Sequence, residues 1–413
     1  MFSANRSLVL SVMWILGAAV ALSAREDPSL VRGGNRRLQD VPELYVAPAL
    51  PWKGPTPEVR LESVAVWSLR GEPLGSPSWA DASTLVLATR EAETGRDRLL
   101  SYRVGNPEAL WMLLTADPVA LPPLGGLGRI FVVFASGTVQ ALQADDGSTV
   151  WEAPVGERAV SALALLDGRL LLVQGTTLRV LDAADGTDLF HLDSGSVPVL
   201  PLRNCGGRWF MSLSSGEIQA IDPEDGQVLW RRHVEGLPTS PVCHGKRLMV
   251  GTSTHNLVGL KTRSGRKDWT QRLAGAVAVQ PLVYGGGVYA GALDGRIYGF
   301  KINGGDRLWA VSVGERVRRQ PVLIRGFLGL ASGGETRLTF LHLPTGHLIL
   351  EAEAPGETAG WVGSPVVHGE RLAIAADRRD SPDGALVLYE LELVDEEDLP
   401  GTSEIRTNRA RED

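Results

Sequence analysis

GEIQAIDPEDGQVLW, residues 216–230, is the stretch whose reading decides the fold. In its first half, Glu217-Ile218-Gln219-Ala220-Ile221, polar and apolar residues alternate, as in a strand with one face buried. Glu224-Asp225-Gly226 then closes a hairpin, because a type I turn ending in a left-handed residue tolerates glycine best. Trp230 stands four residues beyond the glycine and ends the following strand in this reading.

The same pairing recurs along the chain. Gly147/Trp151, Gly186/Phe190, Gly226/Trp230, Gly265/Trp269, Gly305/Trp309 and Gly346/Leu350 place successive glycines 39, 40, 39, 40 and 41 residues apart. A period near 40 residues belongs to propeller blades or helical arrays. The alternating runs Thr138-Val139-Gln140-Ala141-Leu142 and Arg296-Ile297-Tyr298-Gly299-Phe300 choose strands.

Prolines mark a second beat: Ser76-Pro77, Pro122-Pro123, Leu200-Pro201, Ser240-Pro241, Gln280-Pro281, Gln320-Pro321 and Ser364-Pro365. Proline has no amide to give to a ladder, so it belongs where the chain enters a sheet. A Gly-containing turn follows, such as His244-Gly245-Lys246, and then another apolar strand. Each repeat thus reads as four antiparallel strands, one blade of a propeller.

Trp111 lies 40 residues before Trp151, with Pro107 in the glycine slot, which extends the register towards the N-terminus. Counting by the tryptophans gives units at 68–111, 112–151, 152–190, 191–230, 231–269, 270–309 and 310–350. An eighth starts at Glu351 and stops after its third strand, near Leu393, while Val64-Ala65-Val66-Trp67 is left over at the other end. The expectation is an all-β fold, an eight-bladed β-propeller of four-stranded antiparallel blades over residues 59–393, closed by the N-terminal strand. Trp67, Trp111, Trp151, Trp230, Trp269 and Trp309 then share one structural position between blades.

The repeat at 216–230, with TSPVCHGKRLMVG at 239–251, resembles the pyrroloquinoline-quinone-type propeller repeat over about residues 60–393. Two families use eight such blades: the quinoprotein alcohol dehydrogenases, and the non-catalytic B subunit of the outer-membrane β-barrel assembly machinery with its periplasmic relatives. The first implies an adjacent cysteine pair against the cofactor, a carboxylate set for calcium and a longer chain. Cys205 and Cys243 are 38 residues apart, and no acidic run has calcium-loop spacing. Asp145, Asp146, Asp185 and Asp225 are accounted for by their turns. No catalytic residue, cofactor ligand or metal ligand is therefore assigned, and the leading reading is a protein-binding scaffold of the cell envelope. A quinone-dependent dehydrogenase and a ligand- or carbohydrate-binding sensor remain the alternatives.

Residues 1–24 combine Arg6 with the apolar run 8–22 and small residues at Ala21, Ser23 and Ala24, as in a signal peptide for export to the periplasm. Uncut, residues 8–24 would tether the chain to a membrane. Leu22-Ser23-Ala24-Arg25 has the shape of a lipoprotein box with arginine where the acylated cysteine belongs, so no lipidation is expected. Residues 25–58, with six prolines, read as a linker, and the charged stretch 394–413 as a disordered tail.

A net charge of −7 argues against a nucleic-acid partner. Arg231-Arg232 and Arg316/Arg318/Arg319 are read as equivalent blade-to-blade connections, either solvated loop charge or a basic rim for an acidic protein partner. Trp361, in Ala359-Gly360-Trp361-Val362-Gly363, stands outside the repeated tryptophan position and is the foremost single candidate for a partner contact, on a ring expected to be monomeric. Cys205 and Cys243 fall near first hairpin turns of neighbouring blades, where a bridge and two free thiols are both open.

Overall fold

The computed structural model describes residues 58–156, 160–331, 336–356 and 358–394; the expectations about the signal segment, the linker up to residue 57 and the tail from 395 lie outside the described residues. These residues form eight antiparallel sheets. Blade 4 shows the unit: Pro198–Asn204, Trp209–Leu213, Glu217–Ile221 and Val228–His233, paired in that order. Blade 2 runs from Leu124–Gly126 to Thr149–Pro154, blade 3 from Ala162–Leu166 to Asp188–Asp193, and blade 5 from Val242–His244 to Lys267–Arg272. Blade 6 runs from Leu282–Tyr284 to Arg307–Ser312 and blade 7 from Val322–Ile324 to Leu348–Glu353. In blade 1 the first strand is broken into Glu72–Pro73 and Ser78–Trp79, and the outer strand is Ala109–Leu114.

Blade 8 closes the ring as the count of strands required. Thr358–His368, Arg371–Arg378 and Ala385–Val394 are completed by Glu58–Ser68, which pairs antiparallel with Ala385–Val394 from Glu58 opposite Val394 to Ser68 opposite Ala385. The clasp is thus longer than the four residues that betray it in the sequence. First strands of successive blades lie against one another around the ring axis, and fourth strands form the outer edges.

The anchor glycines and tryptophans meet across blades rather than within one. Gly186 adopts φ +78°, and a Cβ there would lie 2.7 Å from the Trp151 ring of the blade before; Gly226 meets Phe190, Gly265 meets Trp230, Gly305 meets Trp269 and Gly346 meets Trp309 in the same way. The position therefore demands glycine twice, for its left-handed backbone and for the ring stacked on it. Each indole also donates its Nε1–H to a carbonyl in the next blade's turn: Trp67 to Asn106 (2.8 Å), Trp111 to Ala144 (2.9 Å), Trp151 to Ala183 (3.1 Å) and Trp230 to Thr262 (2.9 Å). Trp269 and Trp309 continue the series to Ile302 and Leu343. The aspartates of these turns are caps, with Asp225 Oδ1 accepting from the Gln227 amide and Asp146 Oδ1 from Ser148.

One expectation about the strands needs correction. The tryptophans do not end their strands: a β-bulge precedes each, as between Ala220 and Ile221 opposite Trp230 and Val228, and pairing then continues to His233. Consequently Arg231 and Arg232 lie on blade 4's edge strand, whereas Arg316, Arg318 and Arg319 lie in the connection between blades 6 and 7; the two clusters are not equivalent. Met112, Leu113 and Leu114 likewise belong to blade 1's outer strand, not to the following unit.

The core is a series of layers between blades. Trp67, Leu69, Leu85, Leu87, Leu100 and Tyr102 pack with Ala373, Leu386 and Leu388 where the clasp joins blade 8 to blade 1. Phe131, Val133, Trp151, Leu170 and Leu172 fill the layer between blades 2 and 3. Alternation along each strand supplies both faces of a sheet, so every blade is buried between two neighbours.

Candidate functional site: the channel and its cationic rim

The residue before each marker proline lies within the first strand of its blade, as Leu200 and Ser364 do, or two residues ahead of it, as Ser76, Pro122, Ser240, Gln280 and Gln320 do. At blades 5 to 8 and 1 this residue is polar, and the side chains link into a belt. The Ser240 hydroxyl donates to the Leu200 carbonyl (2.6 Å), and the Gln280 amide Nε2 to the Pro241 carbonyl (2.7 Å). Gln280 and Gln320 exchange a pair of bonds, backbone N–H to Oε1 at 2.9 Å and Nε2 to carbonyl at 3.0 Å. The Gln320 amide donates to Ser364 Oγ (3.0 Å) and the Ser364 amide to Ser76 Oγ (2.8 Å), carrying the belt over the closure. Prolines beside these residues withdraw one donor each, and the side chains satisfy amides and carbonyls the ladders leave unpaired.

Blades 2, 3 and 4 break the belt. The corresponding positions are Pro122, Ala162 and Leu200, and there a cavity of about 680 Å³ opens, walled by Leu121, Leu124, Leu163, Leu165 and Pro201. This position is thus polar and linked from blade 5 round to blade 1, and apolar in blades 2, 3 and 4, with Ser76 of blade 1 at the margin of the cavity. Arg203, on blade 4's first strand, reaches to blade 6 and donates from Nη2 to Gln280 Oε1 (2.8 Å). Burial lowers its pKa from the ordinary arginine value.

The cationic cluster occupies the connection between blades 6 and 7. Arg316 and Arg318 are exposed. Arg319 turns inward and donates from Nη2 to the Trp361 carbonyl (2.6 Å); burial lowers its pKa, while Glu315 and Asp377 act in the opposite sense. Trp361 itself is only 3% exposed, its indole packed with Ile324, Phe340 and Ile374 between blades 7 and 8. As a surface contact it is therefore corrected: the extended segment that the sequence places in a connection is the strand Thr358–His368, and Trp361 is core. The structure brings Trp361 and Arg319 together but leaves Arg316 and Arg318 to solvent.

Cys205 and Cys243 form a disulfide, with Cα atoms 6.5 Å apart, which ties the first strands of blades 4 and 5 together at their turn ends. Among the described residues no group of three His, Cys, Asp or Glu side chains is placed to hold a metal ion. The belt went unread in the sequence although its signal was there, a run of Ser and Gln one place before the prolines. Its role required knowing that this position meets its counterpart in the next blade.

A closed ring of eight such blades, joined by tryptophans and turn glycines, is a propeller of the quinoprotein type. A family model described as outer membrane protein assembly factor BamB matches residues 101–235 and 214–381, and the chain belongs to that family. The BamB of Yersinia pestis is 25% identical over 268 residues, covering 60% of this chain and 67% of that protein. The BamB of Shewanella oneidensis is 24% identical over 164 residues, so the match spans 35% of this chain and only 41% of that relative's length. Among solved structures, BamB from Moraxella catarrhalis superposes with a TM-score of 0.60 at 18% identity, covering 80% of this chain and 98% of that one. A quinohemoprotein alcohol dehydrogenase from Comamonas testosteroni gives 0.58 at 12% identity, covering 80% of this chain and 76% of that one. At these identities both superpositions speak for the fold alone.

Proposed function

We propose that the protein is a non-catalytic, exported scaffold of the cell envelope that binds other proteins through one rim of its ring and serves outer membrane protein assembly. The match of the family model across most of the ring carries this reading. The ring acts as a monomer, is exported by its N-terminal segment without lipid attachment, and docks an acidic partner on Arg316 and Arg318, which stand clear of the core while Arg319 holds their connection against blade 8. No step of catalysis is assigned to it: the two cysteines are engaged with each other between blades, and the turn aspartates are engaged with backbone amides.

The test is affinity purification of the tagged chain from the envelope, comparing the native sequence with the Arg316→Glu/Arg318→Glu variant. The expected outcome is recovery of β-barrel assembly components with the native chain and their loss with the variant, at unchanged melting temperature. Reconstitution with pyrroloquinoline quinone and calcium is the counter-experiment. Alcohol-dependent dye reduction by a stoichiometric quinone complex would overturn the reading.

A further inference from the structure

The cavity of about 680 Å³ lies inside the ring, because residues of four consecutive blades wall it and first strands converge only there. Ser76 belongs to blade 1, Pro122 and Leu124 to blade 2, Leu163 to blade 3, and Leu200 and Pro201 to blade 4. Small-molecule sites typically measure about 300–1,000 Å³. This wall offers little to a hydrogen-bonding ligand. Ser76 is its one polar side chain among the described residues, and the hydroxyl already accepts from the Ser364 amide. The prolines bring no N–H, the Gly125 amide donates to Ser78 Oγ, and the Leu200 carbonyl accepts from Ser240. A peptide laid there would leave its amides unpaired, whereas a hydrocarbon chain has none to satisfy.

A charge without a counter-charge stands beside this wall. In blade 4, Val199 pairs with Ser212 and Arg203 with Phe210, so Leu200, Pro201 and Leu202 bulge opposite Met211 alone. Arg203 follows Pro201 by two residues, at most about 7 Å along the strand. Its Nη2 donates to Gln280 Oε1 of blade 6 at 2.8 Å, a contact that skips blade 5 and therefore crosses the interior of the ring. Nε and Nη1 take no protein partner and are not sealed from solvent. No carboxylate acts on the group: burial alone moves its pKa, downward, whereas Arg319 has Glu315 and Asp377 acting on it. A guanidinium stays charged in a protein, and its planar fork of donors matches an oxyanion.

We propose that the interior of the ring binds an amphipathic anion, with a single alkyl chain against the apolar wall of blades 1 to 4 and a carboxylate or phosphate head on Arg203. The tail occupies the surface that has no donors, and the head supplies the counter-charge that Arg203 lacks. The site is separate from Arg316 and Arg318 and does not rest on the assembly reading.

The experiment is isothermal titration calorimetry of the full exported chain with octanoate, decanoate and dodecanoate, all below their micelle concentrations. Each pair of added methylenes should tighten binding about tenfold until the cavity is full. Dodecyltrimethylammonium, which has the same tail and the opposite charge, should bind about tenfold more weakly than dodecanoate or worse. Arg203→Gln keeps an amide for Gln280 and removes the charge, so it should abolish this preference, and Arg203→Lys should keep it. Ala162→Gln gives blade 3 the residue that blades 6 and 7 carry at this place and should flatten the dependence on chain length. Melting curves of the three variants check that the ring is intact.

A lysophosphatidylglycerol separates the two sources of such a ligand. Tighter binding than dodecanoate assigns the head to a phospholipid, and weaker binding assigns it to a free acid. Equal binding of the cationic and anionic amphiphiles, no gain with chain length, or native-like affinity in Arg203→Gln overturns the proposal. So does tighter binding of the tripeptide Leu-Leu-Leu than of dodecanoate, since it would assign the cavity to the carboxyl end of a protein.

Discussion

Replacing Trp67 with alanine should cost the ring about 4 kcal/mol, although the residue lies near the edge of the described chain. Trp67 is 2% exposed, packs against Tyr102 in a tilted arrangement with ring centroids 5.2 Å apart, and donates to the Asn106 carbonyl in blade 1. Truncating a buried tryptophan costs about 3–5 kcal/mol, and the carbonyl left without its donor falls within the upper part of that range. Unfolding entropy of about 2.1 cal/mol/K per residue gives about 0.7 kcal/mol/K for a ring of about 330 residues, so the melting temperature should drop by about 6 °C. Differential scanning calorimetry of the chain from residue 25 measures this, with Val66→Ala as the control. Val66 is the preceding residue on the same strand but 47% exposed, and its truncation should cost under about 1 kcal/mol. If the two variants melt together, Trp67 does not lock blade 8 to blade 1, and closure must depend on the backbone ladder alone.

Gly265→Ala should destabilise the ring by about 2–4 kcal/mol in chemical denaturation, since the residue has φ +64° and its Cβ would lie 2.6 Å from the Trp230 ring; Gly245→Ala, at φ +56° with nothing within 4 Å, should cost only the backbone part, about 1–2 kcal/mol. The Cys205→Ser/Cys243→Ser variant should lose about 2–4 kcal/mol, the loop-closure stabilisation appropriate to a separation of 38 residues, and reductant should destabilise the native chain but not the variant. His342 is packed against Phe327, and burial, followed by the nearby His347, pulls its pKa down to about 4. The unfolded chain, titrating near the ordinary 6.5, then binds more protons than the folded one between those values. Stability is full above pH about 6.5 and falls as pH drops towards 4, by about 2 kcal/mol from this group, and urea unfolding at pH 7.5 and 4.5 should show a smaller difference in His342→Gln.

The candidate site was only partly legible, and particular residues show why. The arginines of 316–319 were visible as charge, but which of them faces solvent depends on the Trp361 carbonyl, 42 residues further on, that captures Arg319. Trp361 reads as a partner contact because it stands outside the repeated tryptophan position, in a segment taken for a connection; it is buried because blade 7 brings Ile324 and Phe340 over it. The exposed Met112-Leu113-Leu114 edge was hidden by taking Trp111 as a strand end, when a bulge before the tryptophan lets pairing run on.

What the sequence by itself determined is the local unit and its number. Alternation with period two, turn glycines, strand-entry prolines and the leftover Val64-Ala65-Val66-Trp67 specify four-stranded blades, eight of them, and the strand that completes the last. Those signals are legible because hairpins are made by residues close in the chain, where sterics and turn geometry act directly. The tertiary structure alone decided what lies between blades: each glycine under the previous blade's tryptophan, the Cys205–Cys243 bridge, the polar belt of Ser240, Gln280, Gln320 and Ser364, and the apolar break in it at blades 2, 3 and 4. Such contacts join residues about one repeat apart in the chain, and only the curvature of the closed ring sets which side chains it brings within reach.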